Sequence, residues 1–183
     1  MGLLERFRQH VPRGATIIDA GANIGNHSVY FARVCGARQI YAFEPMRETF
    51  KILSRNAEIN AMDRIQCHNF ALGARLGRAD LRQYSAANIG ATRLESDEDG
   101  FYEVRPLDSL QFTELNLIKM DVEGAQISVL DGARETLARH KPLIWIELLP
   151  QEAEESHERL LSLGYDRMET LSNTDFIYRA QGT

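Results

Sequence analysis

Four acidic residues lie where short apolar segments of the sequence end, and their carboxylates are the first candidates for chemistry. They are Asp19, Glu44, Asp121 and Glu147. A single acid at such a position commonly caps the helix that follows. In an open parallel sheet, however, ligands bind beyond the carboxyl ends of the strands, where these four side chains would meet. Four acids at one edge therefore favour a ligand-binding crevice.

A glycine-containing turn directly after the first acid narrows the kind of ligand. Gly21 and Gly25 are four residues apart, with Asn23, a residue that tolerates a left-handed backbone, between them. This spacing differs from the G-x-G-x-x-G pattern of dinucleotide sites. Asp19 would repel a phosphate at this turn and attract a cationic amine, whereas Glu44 could accept hydrogen bonds from both hydroxyls of a ribose. S-adenosylmethionine, an adenosine with a positively charged amino-acid tail, fits these features together.

The segments that position these acids alternate between β-rich and helical patterns, which is typical of a parallel sheet with helices on both faces. The length of 183 residues, 44% of them hydrophobic and 26% charged, suits one domain over residues 1–183. The predicted strands are Thr16–Ala20, Gln39–Phe43, Arg64–Phe70, Leu81–Tyr84, Leu117–Asp121 and Leu143–Glu147, with a final hairpin of Tyr165–Leu171 and Asp175–Tyr178. The longest predicted helix is Gly124–His140.

Several motifs between about Thr16 and Pro150 resemble those of one enzyme family, the FkbM-type methyltransferases of the class I S-adenosylmethionine-dependent fold. The motifs are DAGANIG, AFEP, NFALG, IKMDVEGAQISVLDGA and WIELLP. The resemblance implies a Rossmann-like α/β fold of three α/β/α layers, with a mostly parallel seven-stranded sheet and a C-terminal antiparallel hairpin. It also implies methyl transfer from S-adenosylmethionine to a hydroxyl of a sugar, glycan or small natural product.

The same resemblance implies which residues hold the cofactor. Those that would line its methionine part, support the turn beneath it or face the transferring methyl group are Asp19, Gly21, Asn23, Gly25, His27 and Asp121. Those that would hold its ribose and flank its adenine are Glu44, Pro45, Phe70 and Ala71.

Methyl transfer to a hydroxyl is an in-line displacement that depends on alignment and benefits from a base. The candidate catalytic residues are Asp121, Glu123, Lys119 and Glu147. Glu123 is explained equally well as a charge that stabilises the start of the next helix. Lys119 lies within a strand and needs a buried partner. We expect Glu147 on the neighbouring strand to be that partner, in an ion pair that is either structural or orients the acceptor.

A polar segment, Ser85–Arg105, is the longest without clear periodicity and is the candidate substrate loop. Within it, Asn88–Thr92 either closes over the acceptor or forms a solvated turn. We expect recognition of a small-molecule or glycan acceptor to depend on this loop, on the loop after Pro150, on the termini or on a partner subunit.

Composition excludes several other functions. The net charge of −5 does not indicate a nucleic-acid-binding face. The two cysteines, Cys35 and Cys67, form no C-x-x-C pair, and we expect no metal site. No apolar run reaches the roughly 18 residues of a membrane helix, and the N-terminal segment is too charged for a secretory signal. These features predict a cytoplasmic protein without a membrane partner, and they leave its oligomeric state open.

Two alternatives to a methyltransferase stay open at this point. One is a module that binds the cofactor without turnover. The other is a nicotinamide-dependent oxidoreductase, against which the missing G-x-G-x-x-G pattern argues.

Overall fold

The protein's structure, a computed structural model, describes residues 2–60, 62–83 and 93–182. The strands are β1 (Thr16–Ala20), β2 (Gln39–Phe43), β3 (Ile65–His68), β4 (Ala71–Leu72), β5 (Gly77–Gln83), β6 (Arg93–Ser96), β7 (Tyr102–Arg105), β8 (Leu117–Met120), β9 (Leu143–Glu147), β10 (Tyr165–Thr170) and β11 (Asp175–Ala180). The α-helices are α1 (Leu3–Arg8), α2 (Asn26–Tyr30), α3 (Arg47–Asn60), α4 (Gln126–Asp131), α5 (Arg134–His140) and α6 (Ala153–Ser162). A π-helical turn, Phe31–Cys35, continues α2.

Seven strands form the main sheet, in the order β10-β11-β9-β8-β1-β2-β3. All neighbouring pairs are parallel except the two that involve β11. The predicted Rossmann-like α/β class, with its mostly parallel seven-stranded sheet and its C-terminal hairpin, is therefore confirmed. The order also makes β2, β1, β8 and β9 consecutive neighbours at the centre, so their carboxyl ends form one continuous edge.

Apolar side chains on both faces of this sheet explain why helices cover it on both sides. Successive residues of a strand point to opposite faces, and Ile17 and Ile18 of β1 accordingly belong to different buried clusters. Leu117 and Ile118 of β8 divide in the same way. Two separate cores on one sheet give the three-layer α/β/α architecture.

The predicted helix Gly124–His140 is wrong as a single element, because the chain breaks it into α4 and α5 at Gly132. A Cβ atom at Gly132 would lie 2.0 Å from the carbonyl oxygen of Gly73, so the backbones touch there. Asp108, from a segment distant in sequence, caps the start of α5. Its carboxylate accepts the N–H groups of Glu135 and Thr136 at 3.0 and 2.8 Å.

A second sheet, with the strand order β4-β7-β5-β6, occupies the region expected to be a short strand and an irregular loop. Residues 93–105 of the predicted loop Ser85–Arg105 therefore include two strands, which corrects that prediction. The segments GRADLRQ, RLES and YEVR are short and carry at most two large or medium apolar residues each, so their alternation is too brief to mark a strand clearly. The predicted acceptor segment Asn88–Thr92 lies outside the described residues, so its role stays a prediction.

Helix α1, which the sequence did not predict, packs against the core below β9. The Phe7 ring is fully buried, with its centroid 4.2 Å from that of Trp145. Arg6 ties the helix to the C-terminal hairpin by donating to the carbonyl of Leu171 at 2.6 Å and to the carboxylate of Glu169 at 2.7 Å. Across the residues described, none of the helices combines the length and apolar character that crossing a membrane requires.

We expect Phe7→Ala to lower the free energy of unfolding by about 3–5 kcal/mol, because it opens a cavity beside Trp145. Urea denaturation measures this change. Ile59→Ala on α3, where the side chain is 62% exposed, is the control and should change stability by less than about 0.5 kcal/mol. Equal effects of the two substitutions would contradict the packing of α1 on the core.

Candidate active site

The turn between β1 and α2 is held by close backbone contacts. Gly21, Asn23 and Gly25 all have positive φ angles, of 75°, 50° and 88°. A Cβ atom at Gly21 would lie 1.7 Å from the carbonyl oxygen of Asp121, so the turn touches the end of β8 directly. Only glycine permits this approach, and the result is a close backbone contact between the ends of two central strands.

Glu44 fixes the other side of this turn. Its carboxylate is 6% exposed and accepts the N–H of Asn23 at 3.0 Å and the N–H of Met46 at 2.8 Å. Burial raises the pKa of Glu44 to about 7, although these two hydrogen bonds oppose the shift. Asn69 donates to the carbonyl oxygens of Glu44 and Pro45, both at 2.9 Å, and so holds the half-buried proline beside the carboxylate.

Asp19 and Lys119 form a buried ion pair beneath the turn. Asp19 is fully buried and accepts a 2.6 Å hydrogen bond from the hydroxyl of Ser28 on α2. The Lys119 Nζ atom lies 3.5 Å from Asp19 Oδ1 and 3.3 Å from Asp121 Oδ2. The same ammonium donates to the carbonyl oxygen of Gly21 at 3.4 Å. Burial alone would lower the pKa of Lys119, but the two carboxylates outweigh it and raise the pKa, so the side chain is a cation.

The predicted pairing of Lys119 with Glu147 is wrong. Among the described residues, the ion pairs of Lys119 are with Asp19 and Asp121. The strand register gives the reason, because Lys119 lies opposite Asp19 on β1 and opposite Trp145 on β9. Glu147 is two residues beyond Trp145, so its position across from β8 is that of Asp121.

Asp121 and Glu147 form a pair of carboxyl groups at the open edge of the sheet. Their side chains are within hydrogen-bonding reach, and the pKa of Glu147 is raised to about 7 by burial, by Asp121 and by Asp175. Two adjacent carboxylates resist ionising together, which is why Asp121 contributes to the raised pKa of Glu147. The side chain of Asp121 is 31% exposed, so the pair is accessible from the crevice.

His27 lies behind this pair and has an aromatic partner. Its ring centroid is 5.2 Å from that of Trp145, whose indole N–H donates to Asp175 at 2.8 Å. Burial and the charge of Lys119 lower the pKa of His27, and the nearby carboxylates only partly oppose this shift. The ring is therefore neutral near pH 7, and it packs as an aromatic residue.

Phe70 and Ala71 lie where the two sheets meet. Phe70 is 8% exposed and packs on Phe43 at a centroid distance of 5.3 Å. The guanidinium of Arg105, from β7 of the second sheet, lies 4.7 Å above the Phe70 ring. Ala71 begins β4 and pairs with Val104 of the same strand β7. Strand β7 of the second sheet thus packs against Phe70 and pairs with Ala71, the two residues predicted to flank the adenine.

Some residues of this region were not identified from the sequence. They are Ser28, Trp145, Asp175 and Gln126, whose amide donates to the Glu147 carbonyl at 3.2 Å. The sequence offered one usable signal, which concerns Ser28. This residue lies three positions after Gly25, in the first turn of the helix that follows the glycine turn, where its hydroxyl can reach Asp19. Glu123 also lies at this edge, half-buried and with a positive φ of 44° just before α4. Its catalytic role stays a prediction.

The fold brings the four predicted acids to one edge in a defined order. Glu44 directly follows β2, and Asp19 is the next-to-last residue of β1. Asp121 directly follows β8, and Glu147 is the last residue of β9. Neighbouring strands are about 4.8 Å apart, so the row extends about 14 Å from Glu44 to Glu147. The arrangement can accept hydroxyl hydrogen bonds at one end and hold positive charge or take up a proton at the other.

Comparison with known proteins gives a consistent family. The family model described as "Methyltransferase FkbM domain" matches residues 19–177. "Methyltransferase 1" of Beauveria bassiana (strain ARSEF 2860) is 28% identical over an alignment of 149 residues that covers 66% of this chain and 59% of that protein. The hexuronic acid methyltransferase AglP of Haloferax volcanii is 26% identical over an alignment of 126 residues that covers 65% of this chain and 50% of that protein.

A solved structure shares the fold. The FkbM methyltransferase from Methylobacillus flagellatus KT superimposes with a TM-score of 0.65 at 24% identity, covering 90% of this chain and 43% of that one. This chain therefore spans roughly half the length of the relatives that it matches.

We expect Gly21→Ala to destabilise the protein by about 1–3 kcal/mol more than Gly14→Ala, because only the first places a methyl group against backbone. Gly14 is the matched control, since its φ of 74° is nearly that of Gly21 while nothing lies within 4 Å of its added Cβ. Urea denaturation of the two variants compares them at equal left-handed strain. Equal losses would show that the contact of the turn with Asp121 is not tight.

Proposed function

The chain belongs to the FkbM methyltransferase domain family, and from that premise we propose that it transfers a methyl group from S-adenosylmethionine to a hydroxyl of a sugar, glycan or small natural product. The observation that carries the proposal is the order of groups along the sheet edge. A buried carboxyl, Glu44, is followed by the glycine turn at Gly21, which lies against the backbone of Asp121, and then by the acid pair of Asp121 and Glu147.

The residues present fit this cofactor. Glu44 is placed to accept both ribose hydroxyls, because each of its oxygens has used only one lone pair on a backbone N–H. At Gly21 the turn backbone lies directly against the backbone of Asp121, and in our proposal the chain that links ribose and amino acid runs along this turn. Pro45 and Phe70 would border the adenine. When bound, the cofactor supplies an electrophilic methyl group on a sulfonium.

Asp121 and Glu147 are the groups best placed to take the proton of an acceptor hydroxyl. They share a hydrogen bond, and Asp121 is partly exposed to the crevice. Lys119 is unsuited to be the base, because its raised pKa keeps it protonated. Its role in this proposal is to hold Asp121 in place through the 3.3 Å contact. A base with a pKa near 7 is well matched to proton uptake at neutral pH.

The acceptor class is supported by a relative. The Haloferax volcanii protein is described as a hexuronic acid methyltransferase, and a sugar hydroxyl suits an edge lined by hydrogen-bond acceptors. In our proposal the segment Ser85–Arg105, whose described part includes β6 and β7 of the second sheet, contributes to acceptor recognition. A cytoplasmic location and the absence of nucleic acid among the ligands stay predictions.

We expect S-adenosylhomocysteine to raise the melting temperature and oxidised nicotinamide dinucleotide to leave it unchanged. A ligand present at about 100 times its dissociation constant adds about 2.7 kcal/mol to the free energy of unfolding. Differential scanning fluorimetry measures both shifts, and Glu44→Gln should reduce the first one. A shift with the dinucleotide alone would overturn the cofactor proposal in favour of redox chemistry.

The pH dependence of binding tests the role of Glu44 separately. Its pKa of about 7 lies above the ordinary value of 4.5, so the folded protein without ligand keeps this proton up to about pH 7. Ribose hydroxyls donate more strongly to an ionised carboxylate. The affinity for S-adenosylhomocysteine should therefore increase as the pH rises to about 7 and then level off.

Isothermal titration calorimetry at a series of pH values checks this expectation. In Glu44→Gln the affinity should be lower, and most of its increase with pH should be lost. An unchanged pH profile in that variant would exclude Glu44 as the ribose ligand.

A further inference from the structure

The four acids at the sheet edge, Glu44, Asp19, Asp121 and Glu147, form a row that has a single carboxyl group at one end and a pair of carboxyl groups at the other. Glu44 follows β2, whereas Asp121 and Glu147 lie at the ends of β8 and β9, on the far side of β1. The proposed function puts the ribose at Glu44. Because the Gly21 turn lies between these ends, the part of the ligand beyond the ribose has to extend towards the acid pair.

Negative charge at that end is only partly compensated. One cation, Lys119, lies within 3.5 Å of both Asp19 and Asp121, so its single charge is divided between two carboxylates. The charged groups that act on Glu147 are Asp121 and Lys119 from the β8 segment and Asp175 of β11. Asp175 is itself an acid, bound to the Trp145 indole at 2.8 Å, and His27, which lies near Asp121 and Asp175, is neutral near pH 7 because its pKa is lowered. Among the described residues, Lys119 is thus the cation that acts on Glu147, and its charge is already divided between Asp19 and Asp121.

The cofactor and its product differ in the charge on sulfur, to which the negative charge of the acid pair responds. S-adenosylmethionine carries a sulfonium, and loss of the methyl group returns an electron pair to sulfur and leaves a neutral thioether. The adenine, the ribose and the amino-acid groups are identical in the two molecules. A site that recognised only those groups would bind both equally.

We infer that the Asp121–Glu147 pair recognises the sulfonium charge and thereby distinguishes S-adenosylmethionine from S-adenosylhomocysteine, an inference that rests on the proposed function. The pair is then a specificity-determining element for the cofactor. Once the methyl group has left, it faces a neutral sulfur, so the electrostatic attraction that held the substrate is absent from the product complex. The same charges that attract the cofactor thus favour exchange of the product.

The test compares the dissociation constants of the two ligands at about pH 6 and about pH 8, on either side of the Glu147 pKa of about 7. Calorimetry without an acceptor measures them in the absence of turnover. We expect the ratio of the S-adenosylhomocysteine constant to the S-adenosylmethionine constant to increase about tenfold with pH in the wild type, the effect of one added charge near the sulfonium. Glu44→Gln is the matched control, because it should weaken both ligands and leave the increase in the ratio intact.

Glu147→Gln should abolish the increase, since the pair then has the same charge at both pH values. Asp121→Asn provides a second variant, and it should weaken the increase, because it removes one carboxylate of the pair and one of the charges that, after burial, raise the pKa of Glu147. A ratio independent of pH in the wild type, or an increase that persists in both variants, would overturn the inference while leaving the cofactor assignment intact. Failure of both ligands to bind the wild type would overturn the cofactor assignment and this inference with it.

Discussion

The buried ammonium of Lys119 is the interaction on which the arrangement of the sheet edge depends. It joins β1 to β8 through Asp19, reaches the glycine turn through the carbonyl of Gly21 and holds Asp121 at the open edge. An unpaired charge at such depth would be strongly unfavourable, so each carboxylate needs the cation and the cation needs both carboxylates. Removing Lys119 would therefore disturb both the buried Asp19 and the partly exposed Asp121.

Two opposing influences set the pKa values of the acids at this edge. Burial raises the pKa values of Glu44 and Glu147, and the charge of Lys119 lowers them. Glu44 and Glu147, which Lys119 does not contact directly, both have pKa values raised to about 7. Asp19 and Asp121 are the acids within its reach. The crevice thus contains two kinds of carboxyl group, one in direct contact with a buried cation and one able to change charge near neutral pH. Functional sites commonly combine groups of both kinds.

The sequence predicts the central architecture closely, and the reasons are local. Strands β1, β2 and β9 have their predicted limits, because each is a short apolar run that ends at glycine, an acid or a turn. The second sheet was missed because its strands are short and mostly polar, so the alternation that they contain is too brief to mark them. The partner of Lys119 was missed for another reason. Strand register selects Asp19 rather than Glu147, and register is a property of paired strands that one strand's sequence does not contain. Gly132 similarly ends a helix because of Gly73, which is distant in sequence.

The attachment of α1 to the hairpin also bears on how the chain folds. Arg6 contacts Leu171 across 165 residues of sequence, and Phe7 rests on Trp145 of a strand that forms from the second half of the chain. Contacts of such long sequence separation slow folding, because the entropy of closing the loop is lost before the contact forms. We expect α1 to dock late, after β9 and β11 have paired. Until then one face of the sheet beside His27 is uncovered, so the last step of folding completes the apolar wall behind the acid pair.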